Sequence, residues 1–346
     1  MKQICVDPTT DAVWRQLVQQ QPGSVFHSPE WMGVIARTYH FELEGYILLE
    51  ADGTPVAGLP VCRIDDIRGR RIVSLPFSDY CDPLVQDAQQ WNLLVEALLH
   101  HDWTVVFRCL RNHLPDSDSR FTAVKKAKWH GIDLNATLDQ IWERIDSSAK
   151  RAIRKAQQNG VRIIRAQHKD ELRAFFEMHL AVRKHKYHMV AQPYSFFENI
   201  WETFLAPGHG ALLLALHQNR IIGGTLYLIW QDTLYYKFNA SIAQELGVRP
   251  NDLLAWAGLQ YAKEAGCSRF DFGLSDWDQE GLIRFKRKFA TDEQTITFYN
   301  SVPGGAASYT VQARELLPRL TNILTDPSVP DDITERAGTL LYRLFA

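Results

Sequence analysis

Between residues 211 and 241 the chain alternates three apolar runs with two tight breaks, a pattern that limits the fold more than any other stretch. Ala211 to His217, Ile221 to Trp230 and Thr233 to Ser241 are rich in Leu, Ile, Tyr and Phe, and are joined by turns at Gln218-Asn219 and Gln231-Asp232. Runs of this length joined by turn-forming pairs read as antiparallel strands in a meander. Arg249-Pro250-Asn251-Asp252 then opens a helix that Gly266 closes. A short apolar run, Phe270 to Phe272, leads through Gly273 into a polar loop and then into Arg284-Phe285-Lys286-Arg287-Lys288. A meander, a helix and a further strand specify an α/β unit whose sheet is mixed and mainly antiparallel.

The first half alternates in a similar way. Ser28-Pro29 opens a helix through Tyr39, and strands follow at Glu44 to Glu50, Pro55 to Ile64 and Arg71 to Leu75. The loop Pro76 to Pro83 holds two aromatics and two acids among its turn formers and reads as the lining of a cleft. A helix at Ala88 to His100 and a strand at Trp103 to Cys109 complete this part. Further on, Thr137 and Gln140 form a capping box ahead of Ile141, Ile145, Ala149, Ile153 and Ala156, which predicts one helix of about five turns stopped at Asn159-Gly160. Its outer face carries Lys150, Arg151, Arg154 and Lys155, expected to be solvated, with steering of tRNA or anionic lipid head groups as the alternative. Helices are also predicted at Lys169 to about Lys186, Tyr194 to Leu205, Ser308 to Leu324 and Asp331 to Phe345, with Pro303-Gly304-Gly305 as a linker. The expected division is residues 1–135, 136–302 and a helical extension over 303–346.

At 346 residues the length suits two domains, and 38 basic against 40 acidic residues give a net charge of -2. That balance excludes nucleic-acid binding over the whole surface, so any anion site must be local. The five cysteines are scattered, with no C-x-x-C pair, which fits a reducing cytoplasm. The longest aliphatic run, Ala211 to Leu216, is far short of the roughly 20 residues of a membrane span, so any membrane work is peripheral. His179, His185 and His188 lack a carboxylate at ligand spacing; they are expected to be solvated, and no metal is predicted. There is no G-x-S-x-G elbow and no P-loop lysine motif, and Cys267 reads as a small buried residue.

Five motifs in order carry a family resemblance: Ile222-Gly223-Gly224-Thr225-Leu226, Tyr235 to Ser241, Arg249 to Leu254, Phe270-Asp271-Phe272-Gly273 and Glu280 to Lys286. Together they resemble the FemAB group, the peptidoglycan-bridge aminoacyltransferases and their relatives near exopolysaccharide operons. Arg183 to Tyr187 and Gln192-Pro193-Tyr194 extend the likeness towards the exopolysaccharide branch, whereas residues 1–130 match loosely. The resemblance implies an α/β protein of two N-acetyltransferase-like (GNAT-like) domains. It implies transfer of an aminoacyl or acyl group to an amine of a cell-envelope or polysaccharide precursor, with aminoacyl-tRNA or acyl-CoA as donor and no tightly bound cofactor. The partners implied are a phosphorylated, amine-bearing acceptor, charged tRNA and the inner-membrane surface, without sequence-specific nucleic-acid binding. Two alternatives stand beside it: an acyl-CoA-dependent N-acyltransferase of small molecules or sugar amines, and a non-catalytic assembly factor.

By the same resemblance Lys286 sits by the reacting centre, Tyr236 lies in the cleft, and Arg183 and Tyr187 contact acceptor phosphates, with Arg37 nearest to an amino-terminal basic residue that grips the nucleotide. Asn239 and Ala290 depart from the family, which has Gly at both places. Amide formation from an activated ester needs positioning and charge more than a strong base. Lys286 is therefore expected to supply fixed charge, while Asp271 either points at the cleft or caps the next turn. Arg183 and Tyr187, at i and i+4, can reach one ligand. Lys237, Arg284, Asn251 and Asp79 complete the candidate set. Acyl-CoA ranks second as donor because Pro250 removes an amide and Asp252 would repel a pyrophosphate.

Overall fold

The computed structural model describes residues 1–100, 103–301 and 308–346, so the expected linker Pro303-Gly304-Gly305 lies outside the described residues. The strands in chain order are β1 (Lys2–Val6), β2 (Leu43–Leu49), β3 (Pro55–Asp66), β4 (Gly69–Val73), β5 (Thr104–Cys109), β6 (Phe121–Asp133), β7 (Arg162–Arg165), β8 (Gly210–His217), β9 (Arg220–Trp230), β10 (Thr233–Ser241), β11 (Arg269–Asp276) and β12 (Asp292–Ser301). The helices are α1 (Ala12–Gln20), α2 (Pro29–Tyr39), α3 (Ala88–Leu99), α4 (Leu138–Arg144), α5 (Ser147–Gln158), α6 (Lys169–Ala181), α7 (Tyr194–Ile200), α8 (Pro250–Glu264), α9 (Glu280–Arg287), α10 (Ser308–Leu324) and α11 (Asp331–Leu341). They divide between two compact units. The first holds Met1–Ala127, Thr295–Arg319 and Arg343–Ala346; the second holds Lys128–Gln294 and Leu320–Tyr342. The described part of 303–346 is thus shared between the units.

In the first unit the strand order is β1-β2-β3-β4-β5-β12. The first three pairings are antiparallel, β4 and β5 run parallel, and β12 returns antiparallel. One face packs on α3 through Trp91, Leu94, Val95 and Leu98. The parallel pairing covers only Arg71 to Val73 against Thr104 to Val106. Beyond it the chain fills the opening with its own backbone. Cys81 N–H donates to Arg108 O at 2.8 Å, and Leu84 and Gly58 exchange two 2.9 Å bonds. The loop Pro76 to Pro83, expected to line a cleft, therefore plugs the sheet, with Phe77 at φ 58 to make the turn.

The second unit repeats the order: β6-β11-β10-β9-β8-β7, with three antiparallel pairings from β7 to β10 and a parallel one between β10 and β11. Its two turns are where the sequence places them, and Gln218, Asn219 and Gln231 adopt positive φ there. One sheet face buries α5 and α8 through Ile153, Ala156, Leu254, Leu259 and Ala262. The other receives α6 and α7, where Phe175, Phe196, Phe197 and Phe238 form a ring cluster.

One predicted helix is two. Asp146 interrupts the expected five-turn helix between α4 and α5: its side chain accepts from Ser148 N–H, and its own N–H donates to Lys288 O at 2.8 Å. A capping acid with an outside partner for its amide ends one helix and starts the next. Strands β1, β6 and β12 are the elements that the sequence patterns do not predict.

Gly258 of α8 lies against the ring of Tyr227, whose hydroxyl donates to Leu254 O at 2.9 Å. A Cβ at 258 would come within 2.4 Å of that buried phenol. Gly258→Ala should therefore lower stability by about 1–3 kcal/mol despite alanine's better helix propensity, read as a lower thermal midpoint.

Candidate active site

The site grows from a divergence. β10 and β11 pair in parallel only over Thr233 to Tyr235 against Arg269 to Asp271, then separate. Where they part, β10 carries a bulge: Tyr236 pairs with Tyr227 and Phe238 with Leu226, so Lys237 is the extra residue outside the β9 ladder. Asn239 and Ser241 come next on this strand. Asn239 Nδ2 donates to Thr225 Oγ1 at 2.9 Å and to Gly224 O at 3.2 Å, and Ser241 Oγ donates to Asn251 Oδ1 on the first turn of α8. Asn239, the departure from glycine, thus ties β10 to β9.

On the opposite rim Asp271 caps a turn, accepting from Gly273 N–H at 2.6 Å. Gly273 adopts φ 67, where an L side chain would be strained. In a regular strand successive carbonyls face opposite edges. The left-handed residue turns two the same way, and Lys286 Nζ donates to Gly273 O at 3.0 Å and Leu274 O at 2.8 Å. Lys286 is 2% exposed, not the solvent-facing helix lysine its neighbours are.

Tyr236 contacts Tyr227 and Phe272 and bonds with the Thr225 hydroxyl; burial pushes its phenol well up, with Tyr187 and Asp252 adding to the rise. Asp252 is buried and receives Lys288 Nζ at 3.0 Å. In the ligand-free chain the Asp252 charge, expected to repel a phosphate, is thus paired with a lysine. Lys288 also lines an open depression of about 590 Å³ with Arg151, Lys155, Arg249, Arg284 and Arg287, beside Asp146 and Ser148. The outer face of α5 is therefore divided: Lys150 pairs with Glu143 and Arg154 covers Trp142, while Arg151 and Lys155 face the depression.

Arg183 and Tyr187 sit at a π-helical turn, Val182–Lys186, that ends α6. Such turns widen the backbone and recur at functional sites. α11 holds this turn. Lys184, buried, donates to Val329 O and to Asp331 Oδ1 at 2.7 Å, Arg173 forms a two-pronged pair with Glu335, and Gly338 leaves no room for a Cβ against Ala191 O.

Of the residues singled out from sequence, only Arg284 lines the depression. Tyr236, Lys237, Asn251, Asp271 and Lys286 surround the divergence, and Tyr187 acts on Tyr236. Arg37, exposed on α2, and Asp79, half-buried in its loop, belong to the first unit. Arg151, Lys155, Arg249 and Asp252 were not chosen from sequence; the signal for the first two was the basic stripe of α5. Among the described residues no group of three or more His, Cys, Asp or Glu could hold a metal, and no helix is long and apolar enough to cross a membrane.

Residues 144–287 match the family described as acetyltransferase (GNAT) domain. The second unit thus has the GNAT fold. The fold is similar to that of FemX, in line with the sequence resemblance: its crystal structure superposes with a TM-score of 0.68 at 13% identity, over 92% of this chain and 100% of that one. A tandem GNAT protein from the clavulanic acid biosynthesis pathway gives 0.57 at 13% identity, over 88% and 99%. The C-terminal domain of an Agrobacterium fabrum protein described as a lysylphosphatidylglycerol synthetase gives 0.55 at 13%, over 88% and 94%. At such identities the likeness is one of fold. No curated protein matches by sequence.

His179, expected to be solvated, is instead 5% exposed among Phe175, Phe197 and Phe238, with Nε2 2.8 Å from Gln192 Oε1. Burial, then the nearby Arg183 charge, lowers its pKa from 6.5 to about 3. The folded value lies below the unfolded one, so the stability that the neutral ring contributes is present above about pH 6.5. It is lost as pH falls towards 3, by up to about 1.4 kcal/mol per pH unit. His179→Gln should flatten the fall in urea midpoint between pH 7 and 5; an unchanged fall would contradict the assignment.

Proposed function

We propose that the second unit transfers an aminoacyl or acyl group from a phosphate-bearing donor to an amine of a cell-envelope or polysaccharide precursor. The observation that carries this reading is a bulged, diverging pair of strands beside a depression lined by six cations. The donor's phosphates lie in the depression, where the arginines bind oxygens two at a time. Its reactive carbonyl enters between β10 and β11. There the Lys286 charge stands beside the oxyanion as it forms. The acceptor nitrogen attacks as a neutral amine. The carbon–oxygen or carbon–sulfur bond of the donor breaks, and the nitrogen's proton leaves as the tetrahedral intermediate collapses. Arg183 and Tyr187 take the acceptor's phosphate.

Aminoacyl-tRNA is the first reading of the donor, since a phosphate backbone suits a basic lining, of which Arg287 is paired with Glu293 and Lys288 with Asp252. Likeness in fold to FemX and to a lysylphosphatidylglycerol synthetase domain supports the same choice. Acyl-CoA is the second reading. It gains from the neutralised Asp252 and from the tandem GNAT neighbour, whose structure is described as lacking AcCoA. A role in envelope assembly without catalysis is separable by mutation, because a scaffold keeps its phenotype when Lys286 and Arg183 are replaced.

The test is a binding screen of the purified chain against charged tRNA, CoA thioesters and nucleotide-linked sugars. Arg151→Glu with Arg284→Glu should weaken the true donor by roughly tenfold or more and reduce its salt dependence. Equal donor binding by the variant and the parent would exclude the depression.

A further inference from the structure

Lys288 belongs to two surroundings at once. Its ammonium is 3.0 Å from Asp252 Oδ1, and its side chain is 25% exposed where that of Asp252 is 7% exposed. The same lysine lines the cationic depression. Its backbone is fixed, since its carbonyl accepts from Asp146 N–H at 2.8 Å and its N–H donates to Phe285 O at 3.3 Å. Only the side chain has freedom, and an ammonium on a four-carbon stem can change partner without disturbing the helix. Asp252 lies at the first turn of α8, next to Asn251, and acts electrostatically on Tyr236. No other cation is bonded to it among the described residues. Asp271 is committed to a turn, whereas Asp252 is held by one movable lysine.

We propose that Asp252 and the donor's phosphates compete for Lys288, so that filling the depression releases a buried carboxylate near Tyr236. This rests on the depression being the donor site. A phosphate at the depression gathers charge-assisted bonds from Arg249 and Arg284, and Lys288 adds its own by turning outward, while Arg287 stays paired with Glu293. The freed carboxylate then attracts the acceptor's amine in its protonated form, which gives up a proton to water before the neutral nitrogen attacks. The pair thereby gives the site an order: donor first, acceptor second. In the empty protein Lys288 occupies Asp252 and the acceptor's ammonium has no counter-charge there.

The probe is inorganic pyrophosphate, titrated calorimetrically into the parent chain, Asp252→Asn, Lys288→Met and the double variant, each checked for folding by circular dichroism. Lys288→Gln replaces Lys288→Met if the latter does not fold. Asp252→Asn should bind pyrophosphate about fivefold tighter than the parent, because the lysine is no longer retained. Lys288→Met should bind more weakly, and adding Asp252→Asn to it should change nothing. Tightening by the same factor in both backgrounds would mean a plain field effect of the carboxylate and would overturn the competition. No tightening in either background would overturn it too. If the parent does not bind pyrophosphate, the donor-site reading fails and takes this proposal with it. If it binds, and Arg284→Glu weakens it while the cycle shows no coupling, the depression stands and only the competition is lost.

Discussion

Everything distinctive about the second unit comes from how briefly β10 and β11 stay together. Two parallel strands that pair for three residues and then part leave backbone groups that a continuous ladder would have used. Each set has been given a specific answer. On the β11 side Gly273 turns two carbonyls towards the Lys286 ammonium. On the β10 side a bulge sets Lys237 outside the ladder, and Asn239 stitches the strand back to β9. A buried lysine facing carbonyls would be costly without bonds of this kind, so the clamp and the opening are mutually dependent.

The first unit supplies an internal comparison. It has a corresponding spatial order of strands and an equally short parallel pairing between β4 and β5, but its own loop bonds across the opening. A plugged sheet and an unplugged one, built on one plan within one chain, show that this strand order does not by itself make a site. The difference lies in the chain just beyond the paired strand: a turn-rich loop that closes the gap in one unit, a bulge and a helix start in the other.

Much of this was legible in the sequence. The meander, its turns and α8 are set by apolar runs, turn pairs and an Arg-Pro start, which are local signals, and local signals survive folding. The basic stripe on α5 was visible, but not that half of it would face Arg284 and Arg287, because that depends on which side of α9 meets α5. Lys286 was legible as important and illegible as buried: its neighbours Arg284, Arg287 and Lys288 are cations too, and only the positive φ of Gly273 reveals why this one is turned inwards. His179 misled for a related reason. A lone histidine on a helix looks solvated until a glutamine thirteen residues on meets it among phenylalanine rings. Strands β1, β6 and β12 escaped because their polar, charged or short runs signal an edge or exposed strand only weakly.

The grip of α11 on the π-helical turn has a consequence for how this protein can diverge. Lys184 and Arg173 draw their partners from roughly 150 positions downstream, so a stretch with no strand of its own sets the register of a turn far upstream. Drift in that tail is then not free: a substitution at Asp331, Glu335 or Gly338 removes a contact to Lys184, Arg173 or Ala191, around the turn that carries Arg183 and Tyr187. Relatives with a different tail should accordingly show a different length or composition between α6 and α7, the two segments changing together as one inherited block.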